Sequence, residues 1–288
     1  MLLPVSKHLE LQVDEGDVGE RIDRFVASRL RSLSRTFVAE LVAKGLVAID
    51  GEPVRRVAQR LLRAGHVSVT IEPAAAEAPR EVRILHVDDA IVAIDKPAGL
   101  PVSARLKLAG EDALRATRRA LEARGLDATF LGNPHRLDKD TSGVLVIART
   151  REAARALSES FARGETRKRY VAWLEGIPAP RSGVVTARIH APGDGAARLD
   201  EALGQEARTR YRVLGVKDGR ALVALALYTG RTHQIRLHMK HLGTPVAGDP
   251  VHGRGGGALL LHARKLVLPH PATGRRTALV APPPFALR

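Results

Sequence analysis

The most informative stretch of the larger part of the chain has two segments. It begins with His135-Arg-Leu-Asp-Lys-Asp-Thr-Ser-Gly143 and continues with Val144-Leu-Val-Ile-Ala148. The second segment is an apolar run of strand length. The first is dense in charge and stands at the mouth of that packed element, where loops commonly carry functional sites. From position alone, a solvated turn capped by Asp140 or Thr141 explains these residues as well as a site does.

The segments around this stretch have mixed character. The pattern predicts strands at Val82–Val87, Ile91–Asp95, Gly143–Ala148, Arg169–Leu174, Val184–Ile189, Thr209–Leu214, Ala221–Tyr228 and Leu259–Leu268. It predicts helices at Glu111–Arg124, Arg151–Arg163 and Thr232–Leu242. Helices and strands do not alternate regularly, which favours an α+β fold over a doubly wound sheet. We expect the larger domain to have a mixed, mostly antiparallel sheet flanked by helices.

A linker divides the chain. Pro73-Ala-Ala-Ala-Glu-Ala-Pro79 combines proline with small residues and has no periodicity, so we place a linker at residues 73–80. Before it, residues 14–72 form a predicted small domain with two short helices, at Arg21–Leu30 and after the cap Ser34, and short strands around an Asp50-Gly51 turn. Residues 81–288 form the larger domain.

Composition limits the classes of function. The chain has 46 Lys and Arg against 31 Asp and Glu, a net charge of +15, which favours a polyanionic partner such as nucleic acid. The excess lies in residues 81–288, with 34 basic and 20 acidic residues, whereas residues 14–72 hold 10 and 9. The absence of Cys excludes disulfides, thiolate metal sites and Cys nucleophiles.

Neither a basic stretch followed by an apolar run at residues 1–13 nor 18 consecutive apolar residues occur in the sequence. We therefore expect a cytoplasmic protein without a membrane span or export signal.

Several motifs occur together in one order. They are His135–Gly143, Asp95-Lys-Pro-Ala-Gly-Leu100, Lys168-Arg-Tyr170, Thr229-Gly-Arg-Thr-His-Gln-Ile-Arg-Leu-His238, Gly248-Asp-Pro-Val-His252 and Leu260-Leu-His-Ala263. Through them, residues 81–288 resemble the RluA-type pseudouridine synthases, enzymes that isomerise uridines in RNA. The family usually continues its Lys-Pro-x-Gly turn with Val-His-Pro, whereas this chain has Pro101-Val-Ser-Ala104.

The resemblance assigns roles to particular residues. It implies that Asp138 is the catalytic aspartate, that Tyr170 packs against the uracil and that Arg236 pairs with the aspartate. It also implies that His135 and Arg136 contact RNA, with Arg136 entering the space that the flipped base leaves. Three actions of Asp138 stay open: attack on the ribose, addition to the uracil ring, and action as a base at the sugar. No cofactor is expected.

The small domain has a resemblance of its own. Gly19-Glu-Arg-Ile-Asp23, Leu33-Ser-Arg-Thr36 and Lys44-Gly-Leu-Val-Ala-Ile-Asp-Gly51 resemble a small RNA-binding domain first known from a protein of the small ribosomal subunit. We therefore predict phosphate contacts from four arginines, which are Arg24, Arg29, Arg31 and Arg35. The implied partner is structured RNA, ribosomal RNA of the large subunit first and transfer RNA second, bound by a monomer.

Three other classes of function are alternatives. A metal hydrolase would use His233, His238, His241 and His252, but His233 and His238 do not share a helical face and no His-Glu-x-x-His pattern occurs. A glycosidase would pair Asp138 with Asp140, which the basic charge and the small domain disfavour. A non-catalytic RNA-binding protein or RNA chaperone is the further alternative, and the presence of the catalytic positions counts against it.

Overall fold

The computed structural model describes residues 6–30, 33, 35–72, 79–103, 111–192 and 197–286. These residues divide into two compact units, a small one ending at Glu72 and a large one beginning at Pro79. Arg31, Ser34 and linker residues 73–78 lie outside the described residues. Within the described ranges no helix is long and apolar enough to cross a membrane.

The elements of the small unit are β1 (Lys7–Val13), a 3-10 turn (Glu15–Asp17), α1 (Ile22–Arg29), α2 (Arg35–Ala43), β2 (Val47–Ile49), β3 (Glu52–Pro53) and β4 (Gly65–Ile71). Those of the large unit are β5 (Arg83–Val87), β6 (Ile91–Lys96), α3 (Ala113–Glu122), β7 (Ser142–Ala148), α4 (Arg151–Ala162), β8 (Arg167–Leu174), β9 (Ser182–His190), β10 (Arg198–Leu199), β11 (Gln205–Lys217), β12 (Arg220–Leu227), α5 (Gln234–His241), β13 (Leu261–Pro269) and β14 (Arg276–Val280).

The small unit packs its two helices on a sheet of order β1-β4-β2-β3. Phe25 and Val26 of α1 meet Leu41 of α2 in its core. Asp50 and Gly51 both have positive φ, at 48° and 86°, as a two-residue hairpin turn requires. β1 was not predicted. It pairs with β4 along its whole length, so the unit begins before residue 14, where the sequence had placed its start.

The large unit contains one sheet in the order β10-β9-β11-β12-β8-β13-β7-β6-β5, with β14 paired to β13. Every described pairing is antiparallel except that of β13 with β7. The predicted class, α+β with a mixed and mostly antiparallel sheet, is confirmed. All eight strands and three helices predicted beyond residue 80 are present, whereas β10 and β14 were not predicted.

Helices cover both faces of the sheet at β7. Val144 and Val146 point to the core shared with Leu157 of α4, while Leu145 and Ile147 point to the core shared with α3. A strand covered on both faces needs apolar residues at every position, which explains the unbroken run Val144–Ala148. The third helix, α5, packs across β9 and β11.

Gly143 connects the charged loop to β7. Its φ is 114°, and a Cβ at this position would lie 2.4 Å from the carbonyl oxygen of Ala263 on the neighbouring β13. Only glycine permits both the backbone angle and this close approach. The last residue of the opening motif is therefore required by the packing of two parallel strands.

Candidate active site

A cavity of about 620 Å³ opens in the large unit. Its walls come from the Asp138 loop (residues 133–141), the end of α4, β8, β13, and the connection between β12 and α5. The volume is in the range of small-ligand pockets. The predicted site residues Asp138, Tyr170, Arg236, His135 and Arg136 all line it.

Asp138 presents its carboxylate to this cavity. The side chain is 27% exposed, and Oδ2 lies 3.5 Å from Nη1 of Arg236. The Thr141 N–H donates to the Asp138 carbonyl at 3.1 Å, which closes the loop into a turn before β7. The predicted pair of Asp138 and Arg236 is thus brought together from residues 98 positions apart in sequence.

Arg236 makes its shortest contacts with Asp249. The guanidinium, 3% exposed, donates from Nε and Nη2 to the two Asp249 oxygens, each at 2.7 Å. Asp249 also accepts from the N–H groups of Val251 and His252 at 2.9 Å. Burial alone would raise the pKa of Asp249, but these hydrogen bonds overcome it and lower that pKa to about 2. Asp249 therefore holds the fork of Arg236 while Nη1 faces Asp138.

Asp249 was not among the predicted site residues. The sequence did contain a sign of its importance, because Asp249 belongs to the Gly248–His252 motif. Its pairing with Arg236 could not be predicted, because two residues 13 positions apart show no sequence pattern that indicates an ion pair.

Lys96 holds the backbone of the Asp138 loop, and it too was not among the predicted site residues. It is fully buried, and its Nζ donates to the carbonyls of Lys139 at 2.8 Å, Leu100 at 2.7 Å and Pro97 at 3.0 Å. Desolvation lowers its pKa to about 7, against the opposing pull of the Asp140 and Asp138 carboxylates. Lys96 thereby ties the Lys-Pro-x-Gly turn to the backbone next to Asp138.

Tyr170 forms the wall of the cavity on β8. Burial, with a smaller contribution from the Asp138 carboxylate, raises the pKa of its phenol. The ring is thus a neutral, flat surface near the carboxylate, as the role predicted for it requires.

The loop before α5 is held by Gln234. Its Oε1 accepts from the Thr229 hydroxyl at 2.8 Å and from the Arg231 N–H at 2.9 Å, while its Nε2 donates to the Thr209 hydroxyl at 3.0 Å. His233, at the N-terminus of α5, has a left-handed backbone with φ of 55°. This fixed loop aims α5 so that Arg236 reaches the cavity.

His135 and Arg136 differ in their surroundings. His135 accepts the Val146 N–H at Nε2, at 3.0 Å, and stacks on Phe161 with ring centroids 4.5 Å apart. Desolvation, with the nearby Lys168, lowers the pKa of His135 to about 3, so the ring is neutral and supports β7. Arg136 is exposed and has no ion pair with any described residue. Contact of either with RNA stays a prediction.

The arginines predicted to bind RNA in the small unit lie close to acids of their own unit. Arg35 donates to Asp23 at 2.8 Å, and Arg29 contacts Asp17 at 2.6 Å. Arg24 is the most exposed of those described, at 74%, with Glu20 at 3.4 Å. Although no acid occurs between Arg24 and Arg35 in the sequence, the fold places acids beside the described arginines, and RNA contact by these residues also stays a prediction.

The four histidines considered as metal ligands do not converge within the described residues. His233 Nδ1 and His252 Nε2 share a hydrogen bond of 2.8 Å. His238 is fully buried, and neither ring nitrogen has a partner in the described part of the chain. His241 ends α5. The pair of His233 and His252 thus forms a hydrogen bond next to Arg236 and is not part of a metal site among the described residues.

A different cluster, away from the cavity, has suitable atoms within 4.8 Å of one another: His86, Asp88 and His270. The Ala272 and Thr273 N–H groups both donate to His270 Nδ1 at 3.3 Å. Nε2 of His270 therefore carries the proton and donates to Asp88 at 3.0 Å, so it has no lone pair for a metal. The cluster joins two turns by hydrogen bonds.

The charge around the cavity is mainly positive. Among the described residues that line it, Asp138 is the only acidic side chain, against five cationic ones, Arg136, Lys168, Arg231, Arg236 and Lys265. A single carboxylate in a basic surrounding fits a ligand that carries phosphates and reacts at an uncharged centre.

The fold and this cavity define an enzyme that acts on RNA, and the comparisons with known proteins agree. The pattern of the RNA pseudouridylate synthase family matches residues 90–241, and that of the S4 domain matches residues 20–63. The chain belongs to the RNA pseudouridine synthase family and is an isomerase with an RNA-binding S4 domain.

Relatives match over almost the whole chain. An uncharacterized RNA pseudouridine synthase of Chloroflexus aurantiacus is 39% identical over 93% of this chain and 88% of its own length. Ribosomal large subunit pseudouridine synthase D of Xanthomonas campestris is 33% identical, covering 96% of this chain and 89% of its own. For synthase C of Vibrio cholerae the identity is 31%, with 94% and 92% covered.

A solved structure is similar as well. Human RNA Pseudouridylate Synthase Domain Containing 4 superposes with a TM-score of 0.58 and 28% identity, covering 70% of this chain and 88% of that one.

Proposed function

We propose that this enzyme isomerises specific uridines of large-subunit ribosomal RNA, with Asp138 as its catalytic carboxylate. The observation that carries the proposal is the position of Asp138 in a basic cavity, 3.5 Å from a buried arginine that a second carboxylate holds in place. The relatives from Xanthomonas campestris and Vibrio cholerae are named for the large ribosomal subunit, which supports that RNA over transfer RNA.

The reaction breaks the bond between the ribose C1′ and N1 of uracil and forms a bond from C1′ to C5. The hydrogen on C5 leaves as a proton, and N1 gains one, so no oxidant or reductant is consumed. One carboxylate beside the nucleotide suffices for this chemistry. Arg236 fixes the orientation of this carboxylate, because its guanidinium lies 3.5 Å from Oδ2 and is itself held in place by Asp249.

Uracil has to leave its stack to reach Asp138, at a cost of a few kcal/mol. Tyr170 offers a flat wall on which the free base stacks while its bond to the sugar is broken. Arg136, exposed and without an ion pair among the described residues, is available to fill the space that the base leaves in the RNA. The arrangement thus supports base flipping.

The two units divide the work. The matched catalytic positions all lie in residues 81–288, and the small unit, proposed from residues 14–72, supplies affinity and target selection. A chain beginning near Arg80 should still modify a short RNA stem-loop while binding the full target more weakly. A folded truncation that is inactive on every RNA tested would contradict this division.

The decisive experiment replaces Asp138 by Asn. This change keeps the shape of the side chain and removes its charge, so we expect tritium release from RNA labelled at C5 of uridine to fall by more than about 10³-fold. RNA affinity should be unchanged or slightly higher, because the carboxylate repels phosphates.

Asp140→Asn is the matched control, two residues away in the same loop, and should cost far less activity. Substantial release by a homogeneous Asp138→Asn sample would falsify the assignment. Mapping pseudouridines in cells with and without the protein then identifies the target and decides between ribosomal and transfer RNA.

A further inference from the structure

We propose that one face of the large sheet, turned away from the cavity and reached past the end of β12, binds the phosphates of the single RNA strand that flanks the target uridine. We call it the basic sheet face and define it by Arg169, Arg208, Arg210, Arg212 and Lys265. The proposal rests on the proposed function for the identity of the RNA, and its own support is the placement of these cations.

Three of the cations lie on one strand. Arg208, Arg210 and Arg212 of β11 are exposed, and the residues that alternate with them are covered on the opposite face, namely Ala207, Thr209 and Tyr211. Alternate residues of a strand share a face and recur about every 6.8 Å. β11 therefore presents a straight row of three guanidinium groups to solvent.

The row continues across the neighbouring strands. Arg210 is paired with Ala226 of β12, Ala226 with Arg169 of β8, and Arg169 with Lys265 of β13. Paired residues lie on the same face, so Arg169 and Lys265 stand directly opposite each other at a strand spacing of about 4.8 Å. Like charges in such a position destabilise a sheet.

Nothing in the described part of the chain compensates this repulsion, because no carboxylate there pairs with any of the five cations. Cations elsewhere on the surface have acidic partners: Arg155 of α4 and Arg163, which follows α4, both pair with Glu159, at 3.1 and 3.5 Å. A cluster of unpaired cations costs stability, and an external polyanion is the partner that offsets this cost.

The basic sheet face lies on the reverse side of the cavity wall, because Arg169 alternates along β8 with Lys168 and Tyr170, which both line the cavity. The two surfaces meet at an edge, where Lys265 of the face and Tyr228, which follows β12, also line the cavity. Tyr228 is 52% exposed, and the Arg208 guanidinium lies 4.8 Å from its ring centroid. An exposed aromatic ring beside a row of cations is the usual arrangement for single-stranded nucleic acid, with a base on the ring and phosphates on the cations.

The test compares two double variants of the full chain that remove the same charge. Arg210→Gln/Arg212→Gln changes the face, and Arg155→Gln/Arg163→Gln, on α4 and at its C-terminal end, is the control. The probe is a fluorescein-labelled RNA stem-loop with a loop uridine and a single-stranded flank of about eight nucleotides on each side. Its Kd is measured over a series of KCl concentrations.

For the face variant we expect the Kd to rise about tenfold and the slope of log Kd against log salt to fall by about 1.4, since two phosphate contacts are lost. The control pair should keep both values. Arg210→Lys/Arg212→Lys should restore most of the affinity and the slope, because each lysine replaces the charge. A stem-loop without flanks should bind the face variant and the wild type equally.

Activity separates this inference from the proposed function. In single-turnover tritium release, the face variant should need more RNA for half-maximal rate and reach nearly the wild-type maximum. If the face variant equals the control in Kd and slope, or if the difference persists without flanks, the inference is overturned. If the wild type binds RNA with the steep slope and releases no tritium, the proposed function fails while the basic sheet face stands.

Discussion

Two groups of charged residues in the large unit, those beside the cavity and those on the basic sheet face, differ in burial and in their partners. Arg236 and Asp249 are buried and bonded at 2.7 Å, and Lys96 donates to three carbonyls. Arg210 and Arg212 are exposed and have no ion pair with any described residue. Buried charges with fixed partners set geometry, whereas exposed charges without partners supply affinity and salt dependence. Substitutions in the two regions should therefore change different measurements.

The largest effect is expected at Asp249. Asp249→Ala leaves the Arg236 guanidinium buried without its main partner, which should lower the free energy of unfolding by about 3–5 kcal/mol and abolish turnover. Chemical denaturation and tritium release measure the two losses. A fully active and stable Asp249→Ala protein would show that Arg236 does not depend on this carboxylate.

The same pair should respond to pH. The pKa of Asp249 is about 2 in the folded protein against 3.8 as its ordinary value, so the unfolded chain binds the proton more tightly. The stability that wild type has over Asp249→Asn is then complete above about pH 4 and declines as the pH falls toward 2, by about 2 kcal/mol in all. A difference that does not change over this range would contradict the ionised pair.

A smaller effect is expected at Lys96. Lys96→Met removes three hydrogen bonds to the turn and the Asp138 loop while keeping the length of the side chain. We expect kcat to fall by about 10–100-fold, because the carboxylate loses its fixed position, with RNA affinity within twofold of wild type. Lys139→Met, an exposed change in the same loop, is the control. A loss of affinity without a loss of kcat would place Lys96 with the binding charges instead.

The smallest effects are expected in the S4 domain, where a paired arginine and an exposed arginine can be compared. Arg35→Gln removes a donor from Asp23, which is 2% exposed, and should lower the stability of the small unit by about 1–3 kcal/mol. Arg24→Gln, at a side chain 74% exposed, should leave stability unchanged and weaken RNA binding by about two- to threefold. Thermal unfolding and RNA titration of both variants distinguish the paired arginine from the exposed one.

Much of the fold followed from local patterns. The apolar run Val144–Ala148 and the helices around Leu157 and Arg236 carry their periodicity in the sequence, and the structure has them within two residues. β14 and β1 were missed because edge strands pair on one side only and tolerate irregular patterns. In the site, Asp138, Tyr170 and Arg236 were named in advance, but only the fold showed that Asp249 is the closest partner of Arg236.

The sequence by itself determined the class of the enzyme, the α+β architecture and the position of the candidate carboxylate. Short motifs need particular residues in order, and Gly143 shows why, since a Cβ there meets the backbone of β13. The tertiary structure alone decided which charges are paired. In the fold Arg29 pairs with Asp17 and Arg35 pairs with Asp23. The arginines of β11 have no acidic partner among the described residues. Pairing depends on distances of a few ångströms between residues that are far apart in the chain, and these distances exist only once the strands and helices have packed.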